Sequence, residues 1–446
     1  MFQHTASELS HLAAQTLELA KQKGASAAEI DVSESLGQSI QVRLQQIEQI
    51  EHQQDKSLDI TVYCGQSKGR ASTTDLSPTA LNAAVQAAID IAKHTAQDPF
   101  AGLADENLMA TEFGNLDRYH EWDLDATTAI EMAQNCEAAA LSYDKRISNS
   151  EGAGVQTAHY QYVYGNSHGF LQYQRATNHS ISCSVVGSSE NGMERDYWFD
   201  SACDAGDLDS TENIGRLAAQ RTIERLNPAS LPTGNYPILF DRTVSGSLIN
   251  HIVGALSGSA LYRQSSFLTN SIGKPILPDF LSLREEPHIP RAFGSSYFDN
   301  EGVATQSRFV IENGVVQGYF LGSYSARKLG MQSTGNAGGA HNLYLTATAP
   351  DQATLLKQMG NGLLITELMG QGVNLLTGDY SRGAAGFWVE NGIISHPVAG
   401  ITIAGRLQDI LMGIVASADD ALRRSSHKIG SILIDKMTVA GSQHIS

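Results

Sequence analysis

The sequence predicts an α+β fold: an N-terminal helix-and-strand domain over residues 1–230, then a mainly antiparallel β-rich domain with a few helices over residues 231–446. Three observations carry that expectation. Helical and period-2 segments mingle in the first part. Two Asn-Gly hairpin signals stand in the second. Between them, NPASLPTGNYP packs three prolines, a glycine and two asparagines into eleven residues, which marks a linker and puts the boundary near residues 228 to 235.

The first helix opens on a capping box, Thr5-Ala-Ser-Glu8, carries Leu9, Leu12, Ala13 and Leu17 on one face, and stops at Gly24. AEIDVSES, SIQVRLQQIEQIE and SLDITVYCG then alternate as strands. Ser77-Pro78 starts a second helix, with proline where its missing N–H costs nothing. A third helix runs from about Thr127 to Tyr143, and HYQYVYG, GFLQYQR and HSISCSVVG follow as strands. A helix around Ile214 to Leu226 leads into the linker.

The second part starts with strand YPILF and a helix holding NHIVGALSG, Asn250 to Gly258. RFVIENGVVQGYF and GFWVENGIISHP each place Asn-Gly between apolar strands, at Asn313-Gly314 and Asn391-Gly392. A type I′ turn needs positive φ at both central residues, which these two types adopt readily. RLQDILMGIVASA reads as a late helix, with closing strands SILIDK and MTVAG.

Composition excludes several function classes. A formal net charge of −17 opposes nucleic acid and anionic membrane surfaces as partners. The N-terminus has the pattern of an amphipathic helix and lacks that of a signal peptide, and no long apolar run occurs, so the cytoplasm is expected. Cys64, Cys136, Cys183 and Cys203 show no CxxC spacing and read as reduced structural thiols.

Each local motif also has a plainer explanation. Gly165-Asn-Ser167-His-Gly169 matches a serine-hydrolase elbow, but strands on both sides make it a hairpin turn. Ser325 and Lys328 have the S-x-x-K spacing of a serine-type peptidase; a solvated helix face explains them as well. In GNAGGAH, Asn336, Gly338, Gly339 and His341 suit a loop whose backbone passes close to a neighbouring strand or an extended peptide. In GDYSRG, Asp379, Tyr380 and Arg382 fall on a glycine-bracketed turn, where an Asp–Arg pair or a substrate or subunit contact are both possible.

LGSYSARKLGMQSTGNAGGAHN, TELMGQGVNLLTGDYSRGAAGFWVENG and PVAGITIAG resemble the PmbA (TldE) branch of the TldD/PmbA family of metalloproteases, also described as modulators of DNA gyrase. The resemblance covers most of residues 236 to 446. It implies a cytoplasmic assembly in which a TldD-type chain pairs with a PmbA-type chain to degrade or mature peptides. The TldD-type zinc helix reads HEAVGHGLEG, with a later cysteine as third ligand, and its glutamate activates the bound water.

Aligning the shared Val253-Gly254 puts Asn250 at the first histidine, His251 at the glutamate and Ala255 at the second histidine. A one-residue slip offers only Ile252 and Leu256 beside His251, and Ile429 stands at the cysteine. The resemblance therefore implies that this chain binds no catalytic zinc itself, the metal lying in the TldD-type partner. Asn336, Gly338, Gly339, His341, Asp379, Tyr380 and Arg382 are its candidate substrate or subunit contacts. Two alternatives stay open: a metalloprotease or serine-type peptidase active on its own, and a non-enzymatic homodimeric scaffold.

Overall fold

The computed structural model describes residues 2–441. Its N-terminal part holds α1 (Ala6–Gln22), β1 (Ala27–Arg43), β2 (Gln46–Cys64), β3 (Ser67–Thr73), α2 (Pro78–His94), α3 (Ala126–Leu141), β4 (Ile147–Asn166), β5 (Leu171–Ser189), β6 (Gly192–Ala202) and α4 (Thr211–Glu224). The C-terminal part opens with β7 (Gly234–Phe240), α5 (Gly246–Ala255), α6 (Gly258–Tyr262), β8 (Leu283–Glu286), β9 (Arg308–Glu312), β10 (Val315–Val316), α7 (Ser323–Leu329) and β11 (Asn342–Leu345). It continues through α8 (Gln352–Met359), β12 (Gly362–Met369), β13 (Val373–Asn374), β14 (Asp379–Glu390), β15 (Ile393–Arg406), α9 (Leu407–Met412), β16 (Ile414–Ser417), β17 (His427–Lys428) and β18 (Ile432–Ala440). This is an α+β fold.

The first sheet has the order β3-β2-β1-β4-β5-β6, and each neighbouring pair is antiparallel. Ile30, Val32, Ile40 and Val42 share one face of β1 because successive side chains alternate. At one end of that face Ile30 and Val32 pack against α1 and α2; at the other, Ile40 and Val42 pack against α3 and α4. The next residues in phase point the other way. Tyr164 of β4 packs beside Phe170, whose ring lies 5.2 Å from that of Phe298 in the C-terminal part, so the second face of the sheet is partly covered by the rest of the chain.

Several elements differ from the sequence expectation. SIQVRLQQIEQIE is no single strand: it turns at Leu44 and Gln45, both at positive φ, and joins β1 to β2. The carboxylate of Glu137, wholly buried on α3, accepts from the amides of Leu44 at 2.8 Å and Gln45 at 2.7 Å. A distant side chain holds a turn that neither residue type favours. GFLQYQR and HSISCSVVG are one strand, β5, and GMERDYWFDSA forms β6, which the periodicity did not reveal. RLQDILMGIVASA stops as a helix at Met412, and its second half is β16, paired to β18.

The Asn-Gly turns form as expected, with φ of 48° and 78° at Asn313-Gly314 and 52° and 77° at Asn391-Gly392. Thr5 and Glu8 make the reciprocal capping box on α1. The large core of the C-terminal part gathers Ile238 and Phe240 of β7, Leu248 and Ile252 of α5, and Ile432 and Ile434 of β18. Full burial of such a side chain stabilises by about 1.5–3 kcal/mol. The four cysteines are free of disulfides. Among the described residues no helix is long and apolar enough to cross a membrane.

Candidate functional site

A cavity of about 690 Å³ opens between the N-terminal sheet and the C-terminal part. α5 builds one side of it. Leu248, Ile249, Ile252 and Ala255 bury in the core, which leaves Gly246, Ser247 and Asn250 on the opposite face to line the cavity. α5 begins without a side-chain cap, and the hydroxyl of Ser245 is buried with no partner.

Six arginines line the same space: Arg195, Arg221, Arg225, Arg242, Arg382 and Arg424. Only two acids, Asp196 and Glu367, stand among them. In a chain of net charge −17 this is a local reversal of sign. Asp196 lies 3.1 Å from Arg221 and 3.4 Å from Arg225, and Arg225 also pairs with Glu367 of β12 across the two parts. Arg195 pairs with Glu151 at 3.1 Å. Among the described residues, Arg242, Arg382 and Arg424 reach no carboxylate. Arg242 donates to the backbone carbonyl of Asp420 at 3.3 Å. Arg424 donates to the carbonyl of Phe199 and stacks 4.2 Å over Trp198 and 3.8 Å over Phe199. Burial pulls its guanidinium below the ordinary value, to about 10, against the opposing charge of Asp200, while the nearby charges of Arg221 and Arg242 add a smaller lowering. The Nε atoms of Arg382 and Arg221 are buried with no hydrogen-bond partner.

The four positions aligned with zinc chemistry have three different surroundings. Asn250 is exposed at the cavity and Ile429 is buried in its wall. Ala255 is sealed in the core. His251 is half-buried, with its ring 5.9 Å from that of Tyr380 at 76° and its Nε2 lacking a partner. Burial first, and the charge of Arg382 second, hold this imidazole below its ordinary basicity. One carboxamide, one imidazole and two hydrocarbon side chains do not make the nitrogen, sulfur and carboxylate set that zinc takes. These residues do not fit the metal. Among the described residues no three His, Cys, Asp or Glu side chains converge as ligands.

GDYSRG is strand rather than the turn expected from its flanking glycines. Asp379 and Arg382 lie three residues apart on β14, so they face opposite sides and form no pair; Asp379 accepts from the Thr377 hydroxyl at 2.6 Å. Tyr380 and Arg382 share the inner side. Tyr380 is buried beside His251, and burial pushes its hydroxyl up to about 12. Only Arg382 of the three lines the cavity.

GNAGGAH lies elsewhere, around the buried carboxylate of Glu285. Asn336 donates to it at 2.7 Å, the His341 amide does so at 2.8 Å, and Arg308 pairs with it at 2.8 Å. The His341 ring nitrogens sit 3.2 Å from the carbonyl of Gly294 and 2.9 Å from that of Gly335. Gly338 and Gly339 are exposed at positive φ, and a Cβ on Gly338 would meet Asn300 at 2.5 Å. The Ser325 hydroxyl donates to Gly322 at 3.0 Å, while the Lys328 ammonium lies 4.3 Å over the Phe100 ring, so the two side chains have separate partners. GNSHG turns the chain from β4 to β5.

Sequence profiles of the PmbA/TldA metallopeptidase match three stretches of the chain: domain 1 at residues 28–92, the central domain at 119–226 and the C-terminal domain at 233–441. The chain belongs to the PmbA/TldD family. A metalloprotease PmbA homolog of Haemophilus influenzae is 48% identical over 98% of this chain and 96% of its own length. Metalloprotease PmbA of Escherichia coli O157:H7 is 46% identical over 95% of this chain and 94% of its own. A solved Bacteroides thetaiotaomicron structure, described as a candidate modulator of DNA gyrase, superposes with a TM-score of 0.93 at 28% identity, covering 98% of this chain and 100% of that one. Within the PmbA/TldD frame, sequence reasoning reached Arg382 but missed the other five arginines of the cavity. The only local hints were Arg221 and Arg225 one helical turn apart and the doublet Arg423-Arg424.

Proposed function

We propose that this chain is the PmbA/TldE-type subunit of a cytoplasmic metalloprotease that degrades or matures peptides and unfolded chains, with the zinc and the general base supplied by a TldD-type partner. The observation that carries the reading is the cavity itself. At positions aligned with two zinc ligands it presents Asn250 and Ile429, and the arginines around them repel a dication. A subunit in this role closes the substrate chamber and contributes recognition rather than hydrolysis. The relatives' metalloprotease names support the reaction class.

Metal analysis and peptide hydrolysis test it together. Purified alone, the chain should hold no stoichiometric zinc and leave peptides intact; mixed with a TldD-type chain it should form a stable complex that cleaves them. Zinc that a chelator removes from this chain alone, with hydrolysis lost in step, would overturn the proposal.

A further inference from the structure

We propose that the cavity is an anion subsite that holds a carboxylate of a peptide, through Arg242, Arg382, Arg424 and the N-terminal end of α5. Charge, shielding and size each lead there. Among the described residues, three guanidinium groups without a carboxylate partner, those of exposed Arg242 and of partly buried Arg382 and Arg424, line one half-open cavity, and their mutual repulsion is relieved by a ligand that brings negative charge. The Nε atom of Arg382 is sealed from the cavity and has no hydrogen-bond partner, so any ligand would meet the terminal nitrogens of this side chain. A carboxylate suits such groups because the guanidinium fork donates two parallel hydrogen bonds to its two oxygens.

α5 adds a second, independent contribution that is electrostatic, because the amides of Ser247 and Leu248 already donate to the carbonyls of Val244 and Ser245, each at 3.0 Å. Its first turn points the positive end of the helix dipole at the cavity through Gly246 and Ser247, and no side chain caps it. A Cβ on Gly246 would meet nothing within 4 Å, so the helix end is open.

The size separates a peptide from a free ion. About 690 Å³ lies in the range of sites for drug-sized ligands, far beyond one phosphate. Trp198, Phe199, Leu368 and Ile429 give part of the lining an apolar character that an inorganic anion does not use. The choice of a peptide as the source of the carboxylate rests on the peptide-processing reading; the positive cavity does not.

The test uses the full chain and calorimetric titration at low salt with three probes. These are the tetrapeptide Ala-Leu-Ala-Glu with a free C-terminus, its C-terminally amidated Gln counterpart, and sodium phosphate. The acidic peptide should bind at least about tenfold more tightly than the amidated one, the worth of one charge-assisted hydrogen bond. Arg382→Gln and Arg424→Gln should each weaken it by a similar factor, and added salt should weaken it further. Asn250→Asp places a carboxylate on an exposed position of the lining without touching the core, and it too should weaken binding.

Equal binding of both peptides, no binding, or binding indifferent to Asn250→Asp would overturn the proposal. Binding of phosphate alone would also overturn it, as a site for inorganic anions. No partner is needed for these titrations. Pairing and hydrolysis without acidic-peptide binding would remove this proposal alone, and binding without any pairing would remove the subunit reading alone.

Discussion

On the wall of the cavity built by the N-terminal sheet and α4, Arg221 and Arg225 converge on Asp196, which is only 5% exposed. On the wall built by the C-terminal part, Arg242, Arg382 and Arg424 meet no carboxylate among the described residues. The same side chain serves two purposes. Where acids are supplied, arginine ties elements together: Arg225 reaches Glu194 on β6 and Glu367 on β12, and so joins the two parts of the chain. Where they are withheld, the charge is available to something the chain does not contain.

The largest expected effect breaks the paired wall. Asp196→Ala leaves Arg221 without a carboxylate, while Arg225 keeps Glu194 and Glu367, and should cost about 3 kcal/mol in chemical denaturation. A loss under about 1 kcal/mol would show that the two walls do not differ in kind. The next effect has the opposite sign. Arg382→Met replaces an unpaired charge with a hydrophobic side chain of similar length and should raise stability by roughly 1 kcal/mol. A clear loss of stability would mean that Arg382 has a structural partner. The smallest effect sharpens the comparison within the paired wall. Arg195 and Glu151 lie 3.1 Å apart but are 71% and 41% exposed, so Glu151→Gln should change stability by less than about 0.5 kcal/mol. Pairing matters there only in proportion to burial.

The two kinds of hairpin show which parts of the fold were legible. Asn313-Gly314 and Asn391-Gly392 announce their turns because the residues themselves tolerate positive φ. Leu44-Gln45 gives no such sign, because its turn is held by Glu137, more than ninety residues later. Period-2 patterns found β1, β2, β4 and β5 of the first sheet but missed β3 and β6, and misread the turn within SIQVRLQQIEQIE.

The site divides the same way. Arg382 was named from the string that carries the family resemblance, yet as part of a turn with Asp379; only the strand register of β14 sends the two to opposite faces. Asn250 and Ile429 were named as empty ligand positions, and the fold gives them a common cavity.

By itself, the sequence determined what depends on neighbours along the chain: the capping box on α1, the proline start of α2, the two Asn-Gly hairpins, and the residue types standing where a zinc helix would carry its ligands. Those follow from backbone sterics and from which atoms a side chain possesses. Only the tertiary structure decided that arginines from Arg195 to Arg424 would line one cavity, which of them would find acids, and which would not. Electrostatic energy depends on distance through space and on exclusion of water, and neither is a property of adjacent residues.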